Sequence, residues 1–569
     1  MRRKVLAAAG AMAALMAPAM AGIDRADIDK RLAKIVAGKG QGDPIAGAAL
    51  AVFEGGRLVY AGASGCAEFA ADGAKCLRLL TPDMKLRVAS ISKMALALGL
   101  RPLIADGTID LDRDASDYLG WRLTNPAFPD RAITVRQLLS HTSSIRDPEE
   151  YWVDAPGKFR GLFDNGAAFA APDASVDKAP GAWFEYSNLN YGILAGVIEG
   201  ATGERFDLVM QRTLFEPLGL DAGYNWSGVS PSARANGAAL HRAEGELWRV
   251  SVDDAAMRAA DPVSFRASDG FDRSAYLAAY RPGDNPTLFS PQGGLRASVL
   301  DLGKLALELQ SAGVLTGPQW RFDPAIPNGK TEEDFFAAFG LGVQIVKGSD
   351  DFFRNRTLVG HPGEAYGLYS GAWFVRADPG DGFPDDLTIA FAVTGTSATP
   401  PNGAHPTFNA VEDQLMRLAM TAAYADEAAE PAPFDEAADA KADVAQAFAA
   451  AAKDGRRVLL ILGGNWCHDS RALSRHLRDP SLAALVEANF HAVLVDVGRR
   501  DRNLWLPRRF GLGPLTGTPT VLIASADGSL LNAERISDLT TADSQSIAAV
   551  TDYFKRYVIP AANAADADD

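Results

Sequence analysis

The chain has 569 residues, of which 47% are hydrophobic and 22% charged. That balance excludes a disordered chain, and the length allows two or more cored domains. A net charge of −15 excludes a general nucleic-acid binder, whose contact face must be basic, and no internal stretch approaches the eighteen uninterrupted apolar residues of a helical membrane span.

In chain order, residues 1–21 come first. Arg2, Arg3 and Lys4 precede the apolar run VLAAAGAMAALMA, then Pro18 and the small-residue site Ala19-Met20-Ala21. This predicts a signal peptide cut after Ala21 and a periplasmic or secreted protein; the paired arginines also fit a twin-arginine leader. AGAALAVFEGGRLVYAGASG (46–65) predicts two strands about the Gly55-Gly56 turn. Cys66 and Cys76 flank the turn-like EFAADGAK, a second hairpin. In an oxidising compartment a bridge between them is expected, the alternative being two buried free thiols; Cys467 is then left over.

RVASISKMALAL (87–98) sets Ser90 three positions before Lys93 in an apolar run. Further helices are expected near 134–140, 188–201 and 299–312, and strands at 340–347, 368–376 and 387–394. Strands at both ends with helices between predict an antiparallel sheet closed by both termini plus a helical lobe, over residues 23–425. The Ala-, Asp-, Glu- and Pro-rich stretch after 422 predicts a linker at 426–439. Residues 440–560 read helix, strand (457–462), the WCHDS turn, helix, strand (490–497), strand (517–523), a turn and a final helix, the order of a thioredoxin-like sheet. Residues 561–569 read as a frayed acidic tail.

A serine hydroxyl is a weak nucleophile and needs a partner to take its proton. A helical spacing of three puts Ser90 and Lys93 on one face, and the apolar flanks supply the burial that lets a lysine act as a base. Ser175 and Lys178 share the spacing but lie in an Asp- and Pro-rich stretch, so they are read as a decoy. Tyr186-Ser187-Asn188 stands at a loop-to-helix junction, where a phenol can relay a proton and an amide can hold a substrate; as a plain helix start it needs no such role. His361-Pro362-Gly363 reads as a turn whose glycine lets substrate approach, leaving the Glu364 N–H to face an oxyanion.

In this order the residues resemble the class C β-lactamase, serine D,D-peptidase and esterase family. VRQLLSHTSSI (135–145) resembles that family's LLTHTSG segment, with Ser144 where glycine is usual. LFEPLGLDAG (214–223), SPQGGLRASVLDLGKL (290–305) and FGLGVQI (339–345, read as a strand) extend the likeness over about residues 25–420. The resemblance implies a penicillin-recognising fold with Ser90 as nucleophile, Lys93 as base, Tyr186 as relay and Asn188 as positioning amide. It implies an oxyanion hole from the N–H groups of Ser90 and Glu364. His361 stands where lactamases keep a lysine, which points toward the peptidase, aminopeptidase and esterase relatives; Pro362 replaces a hydroxyl that helps bind a substrate carboxylate, which argues against a carboxypeptidase as well. No cofactor and no metal is expected, and the substrate is a small molecule or peptide.

ILGGNWCHDSRALSRHL (461–477) resembles the thioredoxin active-site turn, and Gly517-Thr518-Pro519 its cis-proline loop. Cys467 at a helix N-terminus is expected to have a lowered pKa. Ser470 occupies the second cysteine's place, so the unit reads as a monothiol or degenerate thioredoxin fold that docks a protein partner. The alternatives to a hydrolase are a catalytically silent acyl-binding module and a thiol-dependent partner protein.

Overall fold

The computed structural model describes residues 25–559, apart from 40–41, 261–262, 264, 269, 350–351, 377–386, 398, 424–432, 466, 499, 543–544 and 546. The expected leader, the first half of the expected linker and the acidic tail lie outside the described residues, and in the described half Phe434 is buried in the core of the second unit. The chain forms two compact units, one within residues 24–424 and the other within 425–569.

The strands of the first unit are, in chain order, β1 (Gly47–Glu54), β2 (Arg57–Phe69), β3 (Cys76–Leu79), β4 (Leu86–Arg87), β5 (Leu240–Glu244), β6 (Leu247–Val252) and β7 (Arg296–Ala297). They continue with β8 (Trp320–Arg321), β9 (Ala338–Phe339), β10 (Gln344–Ser349), β11 (Phe352–Ala365), β12 (Leu368–Arg376), β13 (Leu387–Val393) and β14 (Gly395–Thr396). Nine of them make one sheet in the order β3-β2-β1-β13-β12-β11-β10-β9-β8. The β1–β13 pairing, antiparallel from Ala48↔Val393 to Phe53↔Thr388, joins the two ends of the unit. Both strands are buried along nearly their whole length, as a sheet covered on two faces requires. The helix Val299–Leu307 packs on β1, β12 and β13. Its Gly303 makes room for the ring of Phe53, which a Cβ there would meet at 2.2 Å. Helices Arg25–Val36 and Ala410–Ala423 pack together and on β1 and β2.

Cys66 and Cys76 form a disulfide between β2 and β3. Since it closes a short loop, reducing it or making Cys66→Ser with Cys76→Ser is expected to cost about 2–3 kcal/mol, read as a lowered denaturation midpoint.

Two expectations are corrected. Residues 340–343 are not strand: Gly342 takes φ +76° and turns the chain between β9 and β10, because the close approach of Ala97 leaves 2.5 Å for a Cβ there. His361-Pro362-Gly363 is not a turn but the interior of β11. β10 pairs with β11 only up to Gly360, so Pro362 falls where β12 alone is its strand neighbour, a position that tolerates a residue without an N–H.

In the second unit β15 (Arg457–Gly463) lies between β16 (Phe490–Asp496), parallel to it, and β17 (Thr520–Ala524), antiparallel. Helix Ala440–Asp454 packs on β15 and β16. After β17 the chain turns and makes one isolated antiparallel bridge, Ala524 to Leu530.

Candidate active site

Ser90 stands at the N-cap of the helix Ile91–Ala105. The preceding Ala89 has φ +49°, an unfavourable region for a residue with a Cβ. Ser92 pins this elbow, donating to the Ala89 carbonyl (2.7 Å) and accepting from the Leu295 N–H (2.9 Å). One turn on, Lys93 is completely buried. Its Nζ lies 2.9 Å from Ser90 Oγ, 2.8 Å from Asn188 Oδ1 and 3.0 Å from the Gln292 carbonyl.

Those three neighbours suit both protonation states of Lys93: an ammonium donates to all three, Ser90 Oγ included, and a neutral amine to two. The Gln292 carbonyl can only accept. So does Asn188 Oδ1, because the other end of that amide, Nδ2, donates to Asp147. A neutral amine has two N–H bonds for these two acceptors, and its lone pair then faces the Ser90 hydroxyl. Burial pushes the Lys93 pKa down to about 7, against the pull of the Asp147 charge, which raises it. The neutral form is therefore substantially populated near neutral pH.

Tyr186 closes the other side. Its ring centroid is 4.9 Å from Lys93 Nζ and stacks on His141 (4.4 Å) and Phe336 (5.1 Å). Burial holds the phenol well above its ordinary pKa, with a hydrogen bond to Ser90 pulling the other way. It is a phenol at rest, able to pass a proton on. His141 is also neutral, held well below its ordinary pKa by burial and then by the charges of Lys93 and His361. Its Nδ1 accepts the Ser187 N–H at 3.0 Å, which places its proton on Nε2. Ser144 takes φ +66°, the backbone reason that glycine is usual there.

Asp147 was missed by sequence reasoning. Oδ1 accepts from Ser187 Oγ and the Leu189 N–H (both 2.8 Å); Oδ2 accepts from the Asn188 N–H and Nδ2 (both 2.9 Å). One carboxylate thus satisfies the open N-terminus of the helix Leu189–Thr202 and aims Asn188 Oδ1 at Lys93. The only sequence signal is an acid shortly after HTSSI, forty residues from its partners. Asp147→Ala strands those donors and is expected to cost about 3 kcal/mol in denaturant unfolding. The Gln292 carbonyl was missed too, since main-chain acceptors carry no sequence signature.

His361 is buried, with Nδ1 2.6 Å from the Pro362 carbonyl, so Nδ1 carries the proton. Burial, then the Lys93 charge, push its pKa down to about 3, the Pro362 carbonyl opposing. β11 therefore presents a neutral ring where a lysine would present a cation. Gly363 lets this strand press on the nucleophile elbow: a Cβ there would come to 2.5 Å of the Val88 carbonyl and 3.2 Å of the Ser90 nitrogen. The Glu364 carboxylate accepts from the Tyr369 hydroxyl at 3.1 Å. Ser175 and Lys178 lie apart from all this, both paired with Asp173.

In the second unit Cys467 caps the helix His468–His476. It is buried and donates to the Thr518 carbonyl at 3.1 Å, beside the cis peptide Thr518–Pro519. Ser470 is buried one turn on, its hydroxyl without a partner among the described residues and packed under Gly463.

The Beta-lactamase family model matches residues 32–414, and a Thioredoxin-like model matches 439–526. Penicillin-binding protein 4 of Amycolatopsis lactamdurans is 33% identical over 179 residues, 31% of this chain and 44% of that protein. Esterase EstB of Burkholderia gladioli is 27% identical over 229 residues, 37% of this chain and 55% of that one. The chain thus spans less than two thirds of either relative. Among solved structures, the D-amino acid amidase of Ochrobactrum anthropi SV3 aligns at 19% identity and TM-score 0.47, over 69% of this chain and 97% of that one.

Proposed function

The chain belongs to the β-lactamase family, and from that premise we propose that its first unit is a serine hydrolase working through an acyl-enzyme. Ser90 Oγ attacks an ester, amide or lactam carbonyl while its proton passes to the Lys93 amine, directly or through Tyr186. The N–H groups of Ser90 and Glu364 hold the oxyanion. Collapse expels the leaving group, which takes the proton back, and leaves the acyl group on Ser90. Water, deprotonated by the same amine–phenol pair, then adds to the acyl carbonyl and releases the acid. A single observation carries this reading: a completely buried lysine amine 2.9 Å from Ser90 Oγ, held there by two acceptors, Asn188 Oδ1 and the Gln292 carbonyl.

A neutral His361 in β11, in place of a cation, favours esters and amides over β-lactams as substrates, in line with the esterase among the relatives. Labelling with a fluorophosphonate and locating the adduct by mass spectrometry tests the assignment; an adduct on Ser90, absent in Ser90→Ala, is expected. Turnover of p-nitrophenyl acetate separates a hydrolase from a silent acyl-binding module, which labels without turning over. Labelling elsewhere, or none, overturns the proposal.

The thioredoxin-like unit supports a second reading, a monothiol dock for a protein partner. The observation that favours it is the buried Cys467 thiol facing a cis-proline loop. Mixed disulfides lost in Cys467→Ala test it. Export to the periplasm or beyond is proposed on the leader residues alone and is read by whether the mature N-terminus is Gly22.

A further inference from the structure

Behind the nucleophile elbow one hydroxyl touches both main-chain segments that carry the proposed oxyanion donors. Ser370 lies on β12 directly opposite Gly363 of β11 and is completely buried. Its neighbours on the same face of the strand, Leu368 and Ala372, are apolar and equally buried. Burying a hydroxyl in such a place costs free energy unless it is bonded. The Ser370 Oγ reaches out of the sheet and donates to the Val88 carbonyl at 3.0 Å, with the Gly363 carbonyl beside it at 3.4 Å. A hydroxyl has one proton, so Val88 takes the main bond and Gly363 the lesser share.

Both carbonyls bear on the site. The Gly363 carbonyl and the Glu364 N–H are the two ends of one planar peptide unit, so holding the first fixes the direction of the second. Val88 stands two residues before Ser90, and its own N–H donates to the Leu295 carbonyl at 3.0 Å. Between Val88 and Ser90 the chain passes through Ala89 at φ +49°, a conformation that the surroundings must impose. Ser92 imposes it from the helix side and Ser370 from the sheet side. Gly363 leaves room for this contact, since a Cβ there would meet Ser370 Oγ and the Val88 carbonyl at 2.5 Å each. One hydroxyl thus wedges between the elbow that carries the Ser90 N–H and the strand that carries the Glu364 N–H.

We propose that Ser370 is a positioning residue of this active site, one that sets the separation and direction of the Ser90 and Glu364 N–H groups. The inference rests on the hydrolase reading above and on the oxyanion donors assigned there. Two donors stabilise a developing oxyanion only when both point at the place where its charge appears, and donors already set cost no reorganisation at the moment of reaction. Ser370 does not touch the substrate; it acts through β11 and the elbow. Loss of its hydroxyl is expected to slow attack on the carbonyl more than it weakens binding, so kcat falls and KM holds.

The test compares p-nitrophenyl acetate with its thiono analogue, in which sulfur replaces the carbonyl oxygen. Sulfur is a larger and weaker acceptor, so the ratio of the two kcat/KM values reports the geometry of the donors. The wild-type protein is expected to favour the oxygen ester well beyond the ratio seen with hydroxide ion. Ser370→Ala is expected to lower that ratio about tenfold, chiefly through kcat. A merely structural serine slows both esters alike, so an unchanged ratio overturns the proposal while the hydrolase stands. Should Ser370→Ala not fold, Ser370→Cys, a weak donor of similar shape, is read in its place against the same expectation. Failure of both to fold makes Ser370 structural and overturns the proposal. A wild-type ratio equal to that of hydroxide removes the oxyanion donors and the proposal with them, and hydrolysis of neither ester removes the hydrolase reading as well.

Discussion

Ser90→Ala is expected to lower hydrolysis of p-nitrophenyl acetate by about 10⁴-fold or more and to abolish covalent labelling, with the fold intact. The size follows from nucleophilic catalysis acting as a unit: without the oxygen that forms the acyl bond, the amine and the oxyanion donors have nothing to activate, and what remains is the modest acceleration of binding alone. The fold is expected to survive because Ser90 is a partly exposed N-cap that makes no side-chain capping bond to its own helix, so its removal strands no buried backbone donor. A circular dichroism spectrum and melting temperature close to wild type, alongside the lost activity, complete the result. Retention of more than a few per cent of the activity removes Ser90 from the chemistry.

The second large effect concerns charge on Lys93. The amine accepts a proton only when uncharged, and burial brings its pKa down to about 7. Since the charged form is the inactive one, kcat/KM is expected to climb about tenfold per pH unit below pH 7 and to level off above it. His361, at about 3, and Tyr186, held above its ordinary range, put no limb of their own between pH 5 and 9. Lys93→Arg keeps a cation that never deprotonates and is expected to lose about 10³-fold or more at every pH. Asp147→Asn gives the sign check. The Asp147 charge raises the Lys93 pKa, so its removal lets that pKa fall and moves the limb toward acid, even as the amide's altered contacts to Asn188 lower the plateau. A flat profile from pH 5.5 to 9 in the wild type, or a limb that moves toward alkali in Asp147→Asn, contradicts a lysine base.

How much of this could be read in the chain depends on how far apart the interacting groups stand. Ser90 and Lys93 were legible because a helix brings i and i+3 together wherever it forms. The hairpins were legible from Gly55-Gly56 and the cysteine spacing, and the thioredoxin-like order from alternating apolar runs. The His-Pro-Gly triplet was misread as a turn because proline and glycine punctuate loops in isolation. Here the proline stands where β11 has one strand neighbour and the glycine is demanded by the Val88 carbonyl, both facts of the sheet. The strand assigned to 340–343 failed for the same kind of reason, a left-handed Gly342 required by the approach of Ala97.

By itself the sequence determined the residue types available for acylation, their order, the two units and the hairpin crosslink, because these follow from local spacing and periodicity. Only the tertiary structure decided the burial that lowers the Lys93 pKa, the burial that lowers that of His361, and the role of Asp147 as anchor of Asn188. Protonation and charge balance are sums over everything within a few ångströms, and here those neighbours come from segments separated by 40 to 199 residues.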